Sequence, residues 1–332
     1  MSRERSSAER GVLLQNPLSG ISLRRHGGLI ALALLLLFNI VFTRNFLHMQ
    51  TLFVNVSQVA TIAIVAVGMT LVIATRGVDL SVGAVMALAG ALAPLIFMSS
   101  FGRANPGLGV ALAIIVPLLV AAACGLFNGV LVAFLNVQPI IATLILFISG
   151  RGIALVLTNG NLQTFSNPIF SFLGTGRILG LPFQGWLALA IALFFAWLVA
   201  RTLYGRYLLA VGGNETAAGL AGVPVRTVKI ATYVISASLA GLAGLIVVAI
   251  NSASDAARIG NLMELDAIAA AVVGGAVLSG GRAPILGAIF GAVFIQLVRY
   301  TLLANGFSDE VALIIKAAII VFAVYLQQAS RE

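Results

Sequence analysis

The sequence predicts an all-α, polytopic membrane protein with about ten transmembrane helices. Three observations carry that fold class. Of the 332 residues, 61% are hydrophobic and 9% charged, whereas a soluble domain is about 25% charged and about 45–50% apolar. One core cannot hide that much apolar surface, which excludes an ordinary soluble enzyme and a disordered chain. The apolar residues lie in long continuous runs, most near the roughly 20 residues that a spanning helix needs, and not in the alternation of a membrane β-barrel. Finally, the basic residues collect in alternate loops.

The N-terminal tail, residues 1–27, is polar and carries Arg3, Arg5, Arg10, Arg24 and Arg25. The apolar run 28–42 follows and reads as a first helix entering from the cytoplasm. A signal peptide is the competing reading. Against it, the tail is long and the run meets Arg44 and Asn45, with no Ala-x-Ala cleavage site. Further runs cover 57–75, 81–98, 108–135, 140–157, 185–202, 228–250, 265–278, 285–303 and 311–326, ahead of a C-terminal tail at 328–332. The run 265–278 is short, and holds only if Glu264 and Asp266 sit at or below the interface.

Threading ten spans from an inside N-terminus places twelve basic residues on the cytoplasmic side, among them Arg76, Arg201, Arg206, Arg226, Lys229, Arg282 and Arg331. Four, Arg44, Arg103, Arg177 and Arg258, fall outside. That is the asymmetry of the positive-inside rule. The formal charge of +9 is therefore topological, nucleic acid is not called for as a partner, and both termini are expected in the cytoplasm of a plasma (bacterial inner) membrane.

Glycines recur inside the runs. Gly125 and Gly129 form one GxxxG spacing, and Gly287 and Gly291 another. Small residues let helix backbones approach in lipid, so these read as intramolecular packing. The hairpin Arg76–Gly83 resembles the hairpin Gly280–Gly287; an internal duplication and shared turn chemistry both account for that.

Catalytic constellations are missing. Neither Lys229 nor Lys316 sits in a Gly-x-x-x-x-Gly-Lys-Ser/Thr phosphate loop, and there is no His-Glu-x-x-His and no Gly-x-Ser-x-Gly. Cys124 is the single cysteine, and His26 and His48 lie in polar flanks, so neither a disulfide nor a metal centre is expected. The chain is thus not expected to be an enzyme, and no catalytic residue is assigned. The acids Asp79, Glu215, Asp255, Glu264, Asp266, Asp309 and Glu310 fall at loops or run ends, which disfavours proton-driven transport. Mid-run polarity is uncharged. Gln58, Thr70, Asn128, Thr143 and Gln296 are candidates for a translocation path carrying a neutral polar solute, and equally for gluing helices together. Lys316, near the middle of the last run, needs a partner, with Glu264, Asp266 and Asp309 available.

The most informative segment is the long inside loop, about 203–228. Gly212 and Gly213 break a helix, Asn214 can cap a new one, and Glu215 complements its dipole. Gly222 ends it and Pro224 blocks continuation. Ala217, Ala218 and Ala221 give this short helix a small, smooth surface suited to docking in a protein cleft. The alternative is an incidental interfacial helix.

The run "AVGGNETAAGLAGVPVRTVKIATYVISASLAGLAGL" resembles the coupling-loop signature of the ribose-type sugar permeases of bacterial ABC importers. So do "VGMTLVIATRGVDLSVGAVMALAGA", "GLFNGVLVAFLNVQPIIATLIL" and "MELDAIAAAVVGGAVLSGGR", in family order. The blocks "QPIIATLILFISGRGIALVLT" and "SNPIFSFLGTGRILGLP" are more similar to the galactofuranose permease. One departure is Arg76, where the family usually has Gly. The resemblance implies that residues 28–327 form a transmembrane permease domain. It implies two cytoplasmic ATPase subunits that bind ATP and Mg, an external (periplasmic or extracellular) sugar-binding protein, and a second permease chain, identical or paralogous, in the lipid bilayer. Gly213, Asn214, Glu215, Ala218 and Gly222 would belong to the coupling helix, and ATPase closure would drive alternating access. A stand-alone secondary transporter or facilitator is the competing class, and a membrane-embedded enzyme a weaker one. A neighbouring ATPase gene and binding-protein gene would separate the first two.

Overall fold

The computed structural model describes residues 23–329; the two tails lie, wholly or for the most part, outside the described residues. Fourteen helices follow one another: α1 (Leu23–Phe42), α2 (Met49–Ala74), α3 (Val82–Phe97), α4 (Ser100–Ala104), α5 (Pro106–Ala133), α6 (Pro139–Leu157), α7 (Pro168–Thr175), α8 (Phe183–Arg201), α9 (Leu203–Gly213), α10 (Glu215–Leu220), α11 (Val225–Asn251), α12 (Met263–Val273), α13 (Ile285–Ala304) and α14 (Asp309–Ala329). The strands are two-residue pairs, β1 (Gln163–Thr164) with β4 (Ala253–Ser254) and β2 (Arg177–Ile178) with β3 (Leu181–Pro182), both antiparallel. They mark one side of the layer, the strand side; α9 and α10 mark the other.

A helix lies within or overlaps each of the ten apolar runs. Six are long and apolar enough to cross a membrane: α2, α5, α6, α8, α11 and α13. Residues 29–42 of α1 and α3 are shorter apolar helices. The run 265–278 is helical only to Val273, and eleven residues extend about 16 Å, roughly half a bilayer core.

The central bundle is α2, α3, α11, α12 and α13. From Ala60 to Ala74 every residue of α2 is buried. The outer helices differ: Leu119 on α5, Ile148 and Val156 on α6 and Trp197 on α8 are all exposed. Apolar side chains with nothing of the chain over them are what lipid or a second chain must cover.

Two helices begin in the middle of the layer. Asp79, in the loop before α3, accepts a 3.0 Å hydrogen bond from Ser236, and Ser236 lies roughly 16 Å along α11. The segment 75–81 therefore turns back into the layer, and α3 starts there, running alongside α11: Gly244 backs onto Met86, and Gly90 onto Val248. The segment 252–262 dips in from the strand side in the same way, and α12 starts where it ends. The two starts touch: a Cβ on Gly83 would stand 2.2 Å from the Gly260 carbonyl oxygen, and one on Gly260, at φ +67°, would stand 2.3 Å from the Gly83 oxygen.

The order α2, α3, α5, α6 is thus repeated, upside down, as α11, α12, α13, α14. The packing repeats with it: α5 lies on α3 and α11 as α13 lies on α12 and α2, while α6 covers α3 and α14 covers α12. This repeat is not the one the similar hairpins suggest. Hairpin 280–287 precedes α13, which is long enough to span, whereas 76–83 precedes α3, which begins mid-layer. The two hairpins are instead neighbours, with the Gly281 amide donating to the Ala74 carbonyl at 2.9 Å. The GxxxG glycines pack within the chain as expected. Gly125 and Gly129 lie on Tyr233 and Ile230 of α11, and Gly287 and Gly291 on Gly274 and Ala270.

Candidate functional site

On the α10 side, the short helix forms where the glycines and the cap put it. Asn214 accepts from the Ala217 amide at 2.9 Å. Gly222, at φ +82°, ends the turn, and the Val223 amide closes onto the Ala218 carbonyl at 3.0 Å. Glu215 sits in the first turn, and its carboxylate accepts from Lys229 Nζ of α11 at 2.6 Å. Ala218 faces inward and is buried, while Gly213, Asn214, Thr216, Ala217, Leu220 and Gly222 are exposed. Behind α10, the Tyr204 hydroxyl of α9 hydrogen-bonds Thr232 of α11 at 2.9 Å. Burial pushes the Tyr204 phenol up from its ordinary range, so it stays neutral.

Arg76 ties this region to the re-entrant loop. Its Nε donates to the Gly212 carbonyl at 2.7 Å, and its terminal nitrogen donates to that of Gly213. These are the last carbonyls of α9, where a cation is favoured. Arg76 adopts φ +62°, a conformation that costs a non-glycine residue about 1–3 kcal/mol and that suits the glycine usual in the resembling family. Two charge-assisted bonds of about 1.5–3 kcal/mol each offset it. Sequence reasoning flagged Arg76 as a departure but not as a tie, because its partners are 136 and 137 positions away. Arg76→Gln keeps the strained backbone and loses the charged bonds. Amide exchange across 212–222 is expected to rise about tenfold, the equivalent of 1.4 kcal/mol, with exchange in α3 unchanged; exchange at the wild-type rate across 212–222 would refute the tie.

On the strand side a cavity of about 620 Å³ lies between α2, α11, α12 and α14. Of the five candidate path residues it takes only Gln58 on its wall. The other four are buried in helix packing. Thr70 donates to the Ala66 carbonyl at 2.7 Å. Thr143 donates to the Pro139 carbonyl at 2.9 Å and accepts from the Leu80 amide at 3.1 Å. Asn128 donates to Ser81 at 2.9 Å, and Gln296 donates to Asn55 at 3.3 Å. The bonds of Asn128, Thr143 and Gln296 join one element to another, whereas that of Thr70 stays within α2.

Three acids that looked terminal in sequence, Asp79, Glu264 and Asp266, are deep in the structure, because α3 and α12 start mid-layer. Asp79 is fully buried and accepts from the Ser81 amide at 3.0 Å and hydroxyl at 2.6 Å, besides Ser236. Asp266 pairs with Lys316 at 2.6 Å, both side chains nearly buried. Among the described residues no group of three or more His, Cys, Asp or Glu could hold a metal ion.

A multi-pass bundle in which two helices begin mid-layer, beside a cavity open on the strand side, has the form of a membrane transport component. Residues 52–324 match the family described as branched-chain amino acid transport system / permease component, and the chain belongs to that family. It is 41% identical to the galactofuranose transporter permease protein of Escherichia coli (strain K12) over 83% of this chain and 78% of that one. It is 40% identical to the ribose import permease protein of the same strain, over 89% of this chain and 91% of the relative. With the fructose import permease protein of Bifidobacterium longum it shares 34% identity, over 90% and 86%. No solved structure matches the chain.

Proposed function

We propose that the chain is the transmembrane permease subunit of an ATP-binding-cassette importer for a monosaccharide, galactofuranose- or ribose-like. The observation that carries the reading is α10, a short capped helix exposed on one side of the layer, held by α9 and α11 and next to the end of α9 that Arg76 ties to the re-entrant loop. A helix held that rigidly passes a push from a partner into the bundle. Gly213, Asn214, Glu215, Ala218 and Gly222 build it: the glycines break the chain, Asn214 caps, Glu215 anchors and Ala218 packs.

In this reading residues 28–327 form the permease domain, the α10 side is cytoplasmic, and both termini lie there. The ten spans are the six long helices, α1, α3 and α14, and α12 continued by the non-helical segment 274–281, whose Gly281 amide reaches the Ala74 carbonyl. ATP and Mg belong to a separate ATPase subunit. An external sugar-binding protein delivers the sugar on the strand side, and a second permease chain, identical or paralogous, covers exposed apolar helices. The path passes Gln58, while Thr70, Asn128, Thr143 and Gln296 hold its walls. The sugar names of the relatives support a sugar as cargo. The test is uptake of radiolabelled ribose, galactose and fructose into vesicles carrying the assembled importer. Accumulation is expected only with ATP and the ATPase subunit, and the chain alone should hydrolyse no ATP. Equal uptake without the ATPase would refute the reading in favour of a facilitator.

A further inference from the structure

The six charged side chains on the described wall of the strand-side cavity are all spoken for. Lys316 pairs with Asp266 at 2.6 Å, Arg299 with Asp309 at 3.0 Å, and Arg258 with Asp255 at 3.6 Å. The pairs grade with depth: the Arg258 side chain is 89% exposed, whereas those of Lys316 and Asp266 are 9% and 12% exposed. A rim pair is therefore solvated, and the inner pair forms a desolvated floor.

We propose that this cavity is a holding site for a neutral polyhydroxylated solute of monosaccharide size, and that it rejects both cations and anionic sugars. The inference rests on the importer reading and adds to it where the cargo waits and why its charge matters. The wall carries as many acids as bases, so the cavity has no net charge to attract an ion. No carboxylate is left without a counter-charge to hold a metal cation, and no guanidinium or ammonium to hold a phosphate. At the floor a bare ion would have to break the Lys316–Asp266 pair, and breaking a desolvated pair is expensive. A hydroxyl need not break one. It accepts from spare N–H groups and donates to spare carboxylate lone pairs. Gln58, Thr61, Asn251 and Asn261 lie on the same wall and offer three amides and a hydroxyl between the charged pairs. The volume, about 620 Å³, is within the range of small-molecule sites. The described wall carries no aromatic ring on which a sugar could stack. The hold is therefore weak and quickly reversed, as passage requires.

The test reads occupancy by protection of an introduced thiol. In a Cys124→Ser background, Gln58→Cys and, separately, Asn251→Cys are placed in vesicles and labelled with a neutral maleimide. The added probes are D-ribose, D-fructose, D-galactose, glucose 6-phosphate and sodium chloride. At about ten times its apparent Kd, a sugar that the wild-type importer accumulates should slow labelling at both positions about tenfold, as mass action dictates. Glucose 6-phosphate and sodium chloride should not slow it. If the accumulated sugar leaves both rates unchanged, or if glucose 6-phosphate protects equally well, the proposal is overturned while the importer reading stands. If wild-type vesicles with ATP and the ATPase accumulate none of the three sugars, the importer reading fails, and this inference with it.

Discussion

Leu220→Asp is expected to abolish recovery of the ATPase subunit with the permease, while the chain still inserts and melts as the wild type does. Leu220 ends α10 and is 87% exposed. An apolar side chain standing in water at the tip of a braced helix stabilises nothing in the monomer, so replacing it is nearly free there. If the tip enters a cleft on a partner, the same change removes about 1.5–3 kcal/mol of burial and adds a carboxylate to be desolvated. A loss of about 2–4 kcal/mol, roughly 30- to 1,000-fold in affinity, is the range of an interface anchor. Leu179→Asp is the control: Leu179 is 86% exposed on the strand side, and its replacement should leave ATPase recovery intact. Wild-type recovery and sugar-stimulated hydrolysis in Leu220→Asp would remove α10 as the coupling element.

Glu215 has a different place in that element. Its carboxylate is held by Lys229 on the chain itself, and a half-exposed pair of this kind contributes about 0–1 kcal/mol. It aims the helix and does not present a free charge to a partner. Ala218 faces the core, so a bulky residue there would lift α10 off its seat and would not shield the docking face.

The sequence made α10 legible because everything that shapes it is local: two glycine breaks, an Asx cap, a dipole-matched acid and a proline within about a dozen residues. Ten apolar runs were legible for the same reason, since spanning length and hydropathy are properties of one segment at a time. The mid-layer starts of α3 and α12 were not. The run from Ser81 reads as an ordinary span, and contacts far apart in sequence, Asp79 with Ser236 and Gly83 with Gly260, show that it begins mid-layer. Those two displaced starts moved Asp79, Glu264 and Asp266 from supposed interfaces into the interior.

The cavity was legible least of all. Its wall draws Gln58 from α2, Asn251 from the end of α11, Asp255 and Arg258 from the dipping segment, and Lys316 from α14, and no local pattern joins them. One signal did point there: a lysine in the middle of an apolar run must find a counter-charge, and Asp266 was among the partners at hand.

That pair sets the second large effect. Lys316→Met is expected to destabilise the chain by about 3–5 kcal/mol, because it takes the partner from a carboxylate held in a nearly buried ion pair. The cost comes from the orphaned carboxylate and not from the lost attraction, since desolvating two ions consumes most of what pairing them returns. The double variant Asp266→Asn with Lys316→Met removes both charges and should therefore recover most of the stability lost in the single one. A role confined to packing predicts the opposite, because the double variant alters two side chains and would be at least as damaged. Thermal unfolding of the purified chain in nanodiscs, with the wild type, both single variants and the double, completes the cycle that isolates the pair. Equal melting of Lys316→Met and the double variant would show that Asp266 does not carry a charge that needs Lys316, and the floor of the cavity would then lose its ionic character.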